Sequence, residues 1–157
     1  MQKYAFILLN IEKFWNRLCQ QNKTGKQNHA FVRRGSVGPK KTEKLFFYVT
    51  HPIKQIQGYA DFVENITGHS KDLWETFGEE SLLKSYDEYN DFLQDRKTST
   101  FIRFTNLQTF PKPVPYKTLL SIIGKQRMPQ MGMYIPEIMA QQLLSEGGVT
   151  FSPSKNN

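Results

Sequence analysis

Two apolar runs in the middle of the chain limit the architectures that it can adopt. Leu45–Thr50 contains five apolar residues and a threonine, a composition typical of a buried strand, and Pro52 ends it. Ile56–Glu64 is predicted to be the next strand, and Gly58 within it indicates a bulge or a close backbone contact. The two runs therefore predict a hairpin of buried strands at the centre of the fold.

Weaker signals on both sides of this hairpin predict the remaining elements. Strands are expected at residues 4–9, 29–34 and 98–110, and helices at 11–18, 72–77, 86–96, 116–123 and 136–145. Asn10 is placed to cap the first helix, and Ser85 with Glu88 forms a capping box. The strands are too few for a sandwich and do not alternate regularly with helices. The sequence therefore predicts an α+β fold: a small, mostly antiparallel β-barrel with helices packed at its ends.

Length and the distribution of apolar residues set the domain organisation. A chain of 157 residues suits one domain, which we expect at residues 1–150, followed by a disordered tail at 151–157. The apolar run Tyr4–Leu9 is too short to span a bilayer, so we expect no membrane association and a cytoplasmic location. Cys19 is the only cysteine, which excludes an internal disulfide.

The charge balance points to a class of partner. Formal net charge is +7 and the sequence pI is about 9.5, and a basic surface of this kind attracts polyanions, most commonly nucleic acid. The alternative is that the lysines and arginines only keep the protein soluble. The spacings of the three histidines match no metal-ligand set, and no phosphate-binding glycine loop is present, so we expect neither a metal nor a cofactor.

Four segments in a fixed order carry a resemblance to a known family. The turn Gly25-Lys26 leads into the strand His29–Arg34, which ends in two arginines, and the central hairpin follows with the pattern Ile56-x-Gly58. A helix, a basic residue, a strand and Lys112-Pro113 then close the series. Over residues 1–145 this order resembles the ASCH/EVE branch of the PUA-like superfamily, and the resemblance implies a PUA-like β-barrel.

The resemblance also implies a function. It indicates a nucleic-acid-binding module that holds RNA, more readily than DNA, or a flipped or modified base in a basic cleft. The alternative is a small enzyme that acts on a modified nucleoside or on RNA, as an amide hydrolase or a nuclease. Some ASCH proteins hydrolyse modified cytidine with a lysine, a threonine and a glutamate. Lys26 lies where that lysine would be, but Thr24 precedes it instead of following it, and the glutamate before the arginines is absent. Whether the chain is an enzyme therefore stays open, with Lys26 as the catalytic candidate and Glu64 as a distant second.

Seven residues are the candidates for contact with nucleic acid. Lys26, Arg33 and Arg34 are expected to flank the mouth of the barrel and to capture phosphate, unless the arginines are merely solvated at a strand end. Thr50 and His51 end the central strand and are expected near a base, whereas Tyr48 is expected in the core. Lys125 and Arg127 lie in a second basic loop before the last helix. The hypothesis requires these groups to surround one hollow.

Overall fold

In the computed structural model, which describes residues 3–150, the chain forms six strands and five α-helices. The strands are β1 Ala5–Asn10, β2 Asn28–Arg34, β3 Lys44–Val49, β4 Gln55–His69, β5 Thr98–Pro115 and β6 Met133–Ile135. The helices are α1 Glu12–Lys23, α2 Ser70–Phe77, α3 Tyr86–Leu93, α4 Tyr116–Ile123 and α5 Glu137–Glu146, with a 3-10 turn at Gly78–Glu80 after α2. The tail expected at 151–157 lies outside the described residues.

All six strands join one sheet in the order β2-β5-β4-β3-β1-β6. Neighbouring strands are antiparallel except for β1 and β3, which run parallel with Asn10 beside Val49. Within residues 3–150 no backbone ladder joins β2 to β6, so the sheet is open in its hydrogen bonding. The predicted α+β class and the mostly antiparallel sheet are thereby confirmed, whereas the closed barrel stays a prediction.

Aromatic contacts show that the sheet is strongly curled. Two strands lie between β2 and β3, which in a flat sheet would put them about 14 Å apart. Yet the ring centroids of Phe31 on β2 and Phe47 on β3 are 5.7 Å apart, and both rings pack on Phe104 of β5. The concave side, called the inner face below, is therefore a packed core.

Helices cover both sides of the curled sheet. From α1, Trp15 and Leu18 pack into the inner-face cluster. Helices α4 and α5 cover the opposite, outer face of β1 and β3, and α2 and α3 pack against β2 and β5. None of the helices within residues 3–150 has the length and apolar composition needed to cross a membrane.

The middle strand β4 bends where the sequence predicts it. The registers of β4 against β3 and β5 shift next to Gly58, which marks the predicted bulge. A Cβ atom on Gly58 would lie 2.5 Å from the carbonyl oxygen of Gln108 and 2.9 Å from the Trp15 ring. The two structural roles predicted for Gly58, a bulge and a close backbone contact, are therefore both confirmed.

The basic segment between β2 and β3 is tied to the rest of the fold. The Asn65 side chain donates hydrogen bonds to the carbonyl oxygens of Val37 (2.9 Å) and Pro39 (2.8 Å). The Lys40 backbone N–H donates to the Tyr134 hydroxyl at 2.9 Å. The segment therefore crosses from β4 towards β6 along a fixed path.

Three local predictions differ from the structure. The predicted connector at 111–115 is the continuation of β5: Val114 and Pro115 pair with Ile56 and Gln55 of β4, whereas β2 pairs only with residues 99–105, so this part of the strand lies at an edge, where prolines are tolerated. Helix α3 ends at Leu93 instead of Arg96, since Gln94 adopts a left-handed backbone with φ of 56°. Asn10 does not cap α1: Ile11 is the N-cap and no side-chain bond forms there. Strand alternation carries the Asn10 side chain onto the inner face, beyond Leu8.

Candidate functional site

The side chain of Arg33 links two strands at one end of the sheet. On β2, alternation places Phe31 and Arg33 on the inner face, and the Arg33 guanidinium lies 5.3 Å from the Phe31 ring centroid. Arg33 Nη2 donates to the carbonyl oxygen of Leu9 at 2.8 Å, and Nη1 donates to that of Val32 at 3.2 Å. The Leu9 carbonyl is available because β6 pairs only with residues 5–7 of β1.

The electrostatics of Arg33 suit an anionic ligand. Within residues 3–150 no carboxylate forms a salt bridge with it. Burial away from water lowers the pKa of Arg33 to about 10, so the group still carries its charge at neutral pH. A guanidinium has five N–H groups, and two of them bind the carbonyl oxygens of Leu9 and Val32. A half-buried cation with free donors and no counter-ion is therefore poised to bind phosphate or carboxylate oxygens.

The neighbouring residue of β1 carries a second unusual polar group. Asn10 is 6% exposed, and both polar atoms of its side chain are buried without a hydrogen-bond partner among the described residues. Its backbone oxygen accepts a 2.9 Å hydrogen bond from the N–H of Thr50, which anchors the turn after β3. Asn10 and Thr50 therefore meet at the point where the parallel strands end, called the β1–β3 end below.

On the outer face of the same end, two tyrosines and a lysine are in contact. The ring centroids of Tyr48 and Tyr116 are 5.7 Å apart, and Lys54 Nζ lies 4.5 Å from the centroid of Tyr116. Burial raises the pKa of Tyr48 to about 12, which keeps this phenol neutral. The Tyr116 hydroxyl accepts a 3.1 Å hydrogen bond from the N–H of Met128. Tyr116 thus ties the loop at 124–132 to the turn at 50–54.

Four predicted residues besides Arg33 belong to this end of the sheet. Thr50 is half-buried and His51 is exposed in the turn after β3. Lys125 and Arg127 are exposed in the loop that Tyr116 holds. Because β6 is antiparallel to β1, this loop arrives where β1 finishes. Thr50, His51, Lys125 and Arg127 therefore lie at the same end of the sheet as Arg33.

Two predicted residues lie elsewhere. Lys26 precedes β2, whereas Arg33 lies near its end, so about 23 Å of extended chain separates them. The Lys26 ammonium donates to the carbonyl oxygen of Glu79. Arg34 packs on α3, with Nε 2.6 Å from the carbonyl oxygen of Phe92 and the guanidinium 4.9 Å from the Phe92 ring centroid. The expectation that all seven residues surround one hollow is therefore wrong.

Lys26 instead lines a separate hollow of about 810 Å³ between α1 and residues 74–84. Its walls carry both signs of charge: Arg17, Lys26 and Lys84 against Glu75, Glu79 and Glu80. Some of these groups are already paired, since Arg17 bonds Glu88 at 3.0 Å and Glu80 bonds Arg103 at 2.8 Å. A polyanion gains little from such a mixed surface, so the β1–β3 end is the better candidate site.

The other enzyme candidate, Glu64, is also engaged away from this end. Its carboxylate lies 2.5 Å from Nη1 of Arg103, whose guanidinium Nε and Nη2 bind Glu80. These two carboxylates raise the pKa of Arg103, since both favour its charged form. The Glu64–Arg103–Glu80 group holds the 3-10 turn against β4 and β5, and this structural role accounts for the presence of Glu64.

Three residues of the site were not identified from the sequence. The sequence predicts Asn10 as a helix cap, although a polar residue that ends an apolar strand is also a signal for a site at the strand end. Lys54 follows the turn at Pro52 and adopts a left-handed backbone with φ of 54°. Tyr116 was treated only as the start of a helix, because nothing in the sequence brings it beside Tyr48.

Comparison with solved structures supports the fold. A crystal structure of ASCH from Zymomonas mobilis superposes with a TM-score of 0.73 at 21% identity, covering 92% of this chain and 96% of that one. An NMR structure of a Rhodopseudomonas palustris protein gives a TM-score of 0.56 at 10% identity, covering 98% and 99% of the two chains. Both likenesses extend over nearly the whole length of each chain and show that the architecture is shared.

Comparison of sequences identifies the family. A protein described as an ASCH domain-containing ribonuclease, from Zymomonas mobilis subsp. mobilis, is 24% identical over 135 residues, which is 86% of this chain and 89% of that protein. Residues 9–127 match the family model described as "Domain of unknown function (DUF365)". The chain therefore belongs to the DUF365 family, and its fold is that of the solved ASCH structure.

Proposed function

We propose that this domain is a nucleic-acid-binding module that holds a single strand of RNA across the β1–β3 end. The supporting observation is Arg33, a half-buried guanidinium with free N–H groups and no carboxylate partner within residues 3–150. Because Arg33 is already desolvated in the fold, a phosphate gains a charge-assisted contact without having to strip water from an exposed side chain.

The neighbouring residues have distinct roles in this proposal. Lys54, Lys125 and Arg127 increase affinity for any sequence by neutralising phosphates and releasing counterions. Thr50 and His51 lie nearest the sugar or base, which packs against two exposed apolar side chains, Ile11 after β1 and Met131 in the loop at 124–132. The curled sheet acts as a PUA-like barrel whose mouth is the β1–β3 end, within one domain at 1–150 that functions in the cytoplasm. A modified nucleobase is the alternative ligand of the same site.

RNA is preferred to DNA in this proposal because the matched Zymomonas mobilis protein is described as a ribonuclease. The same description favours a second candidate function, cleavage of RNA. Cleavage needs groups that move a proton and stabilise charge at a phosphate. His51, Lys54 and Tyr48 supply such groups at the β1–β3 end. They replace Lys26 and Glu64 as the candidate catalytic residues, because Lys26 binds the Glu79 carbonyl oxygen and Glu64 binds Arg103.

Binding is tested by fluorescence anisotropy of a labelled single-stranded RNA, titrated with the protein at several salt concentrations. Affinity is expected to fall with salt, with a slope of about −0.7 for each phosphate neutralised. Arg33→Gln is expected to weaken binding about tenfold or more and to reduce the slope by about 0.7, the value for one phosphate contact. Lys23→Gln removes the same charge at the far end of α1 and serves as the matched control. A salt-independent affinity, or equal losses in both variants, contradicts the proposal.

Cleavage is tested by gel analysis of end-labelled RNA after incubation with the protein. Products that disappear in Lys54→Gln and persist in Lys23→Gln support the nuclease function. If the RNA stays intact under conditions of saturated binding, the protein is a binding module without catalytic activity.

A further inference from the structure

Within residues 3–150, Asn10 is the only residue whose buried side-chain polar atoms lack a partner. Buried amides are nearly always hydrogen-bonded, and an exception calls for a specific cause such as an absent ligand. Asn10 is not needed as a helix cap, because Ile11 holds that position. Nor does strand packing explain it, since the neighbouring inner-face positions are filled by apolar side chains such as Leu8 and Val49.

The position of the amide indicates which ligand group it meets. The residue before Asn10 supplies the carbonyl oxygen that Arg33 Nη2 binds at 2.8 Å, so amide and guanidinium lie at the same corner of the inner face. In RNA the 2′-hydroxyl sits on the ribose carbon next to the one that carries the 3′-phosphate. A ribonucleotide whose phosphate binds Arg33 therefore carries a hydroxyl a few ångströms away.

Burial and hydrogen-bonding capacity favour a hydroxyl over a base. Asn10 is 6% exposed, and the hollow of about 20 Å³ beside Arg33 is lined by other residues, among them Phe14, Phe31 and Phe92. The surroundings of the amide therefore suit a small group better than a nucleobase ring. A side-chain amide offers one acceptor and two donors, and a hydroxyl needs one of each.

We propose that Asn10 binds the ribose 2′-hydroxyl next to the phosphate held by Arg33, and so makes the site selective for RNA over DNA. This inference rests on the proposed function. Asn10 Oδ1 accepts the hydroxyl proton and Nδ2 donates to an oxygen of the same nucleotide. In the free chain the amide is 6% exposed, so the side chains around Asn10 shift as the nucleotide enters, while Arg33 binds the phosphate through its free N–H groups.

The test compares three single-stranded oligonucleotides of one sequence: RNA, DNA and 2′-fluoro RNA, which keeps an RNA-like sugar but has no hydroxyl proton. The unmodified protein is expected to bind RNA about threefold to tenfold more tightly than the other two, the value of one hydrogen bond. In Asn10→Leu the ratio of RNA to DNA affinity is expected to fall to about one. Lys23→Gln is expected to keep the ratio, and gels confirm that the RNA stays intact during the titration.

Two results overturn the inference alone: equal affinity of the unmodified protein for RNA and 2′-fluoro RNA, or an undiminished RNA preference in Asn10→Leu. The 2′-fluoro comparison needs no variant, so it decides the matter even if Asn10→Leu does not fold. Failure of all three oligonucleotides to bind in a salt-dependent way overturns the proposed function, and this inference with it. Salt-dependent binding without a sugar preference leaves the proposed function standing.

Discussion

Arg33 Nη2 donates a 2.8 Å hydrogen bond to the Leu9 carbonyl oxygen and so connects β2 to β1, although three strands separate them in the sheet. The contact is possible only because the sheet curls until its first and fifth strands approach each other. The contact brings the Arg33 guanidinium from the edge strand β2 to the end of the parallel strands β1 and β3. The fold thereby builds the β1–β3 end from residues that are remote in the sequence.

A first prediction is that Arg33 serves binding more than folding. Arg33→Met removes two hydrogen bonds to carbonyl oxygens, but it also removes a desolvated charge that no carboxylate offsets. These effects oppose each other, so the free energy of unfolding is expected to change by less than about 1 kcal/mol. Urea denaturation measures it. A loss of several kcal/mol would mean that the arginine is chiefly a structural bridge.

The unpartnered amide gives a second prediction. Asn10→Leu replaces buried polar atoms that make no hydrogen bond with a side chain of similar shape, and is expected to raise the free energy of unfolding by about 1–2 kcal/mol. The matched control is Asn65→Leu, which removes two hydrogen bonds to Val37 and Pro39 and is expected to destabilise the protein. Destabilisation of similar size in both variants would show that Asn10 has a partner in the free protein.

A buried histidine predicts how stability depends on pH. His29 is fully buried, with Nδ1 2.8 Å from Nε2 of Gln21 and Nε2 3.2 Å from Oδ1 of Asn22. Burial, with a smaller contribution from Lys26, lowers the pKa of His29 from 6.5 to about 4. The unfolded chain therefore takes up a proton before the folded one does, and stability is lost as pH falls from about 6.5 to 4.

The loss attributable to His29 is expected to reach about 3 kcal/mol at pH 4. Urea denaturation between pH 4 and 8 measures it, and His29→Gln is expected to flatten the curve within this window. An unchanged slope in the variant would assign the pH dependence to other groups.

Packing around the β4 bulge gives a fourth prediction. A Cβ on Gly58 would lie 2.5 Å from a backbone oxygen, so Gly58→Ala is expected to cost about 2–3 kcal/mol of stability. Gly68 lies on the same strand, and its Cβ would be 3.7 Å from the nearest atom, so Gly68→Ala is expected to change stability by less than about 1 kcal/mol. Equal effects of the two substitutions would contradict the close approach of β4 and β5.

The sequence was most informative where the signal is local. Gly58 correctly indicates the bulge of β4 and its close approach to β5, because both depend on the residues around it. Ser85 does cap α3 by accepting a hydrogen bond from the N–H of Glu88 at 3.1 Å. Such features need no knowledge of the rest of the chain.

The candidate site was only partly predictable because it depends on the curl of the sheet. The sequence predicts Arg33 as a basic residue at a strand end, and it lies there, but its contact with Leu9 joins residues 24 positions apart. The family resemblance groups Lys26 with it, although the seven-residue strand β2 carries the two to opposite ends. Strand β6, with three residues, was missed because it is too short to show a pattern.

Photo-crosslinking of a 4-thiouridine-substituted single-stranded RNA, followed by mass spectrometry of the attached peptides, tests the location of the binding site most directly. The account predicts adducts on residues of the β1–β3 end, in the turn at 50–54, at Tyr116 or in the loop at 124–132, and their loss in Arg33→Gln. Adducts concentrated on the hollow between α1 and residues 74–84, or unaffected by the loss of Arg33, would contradict it.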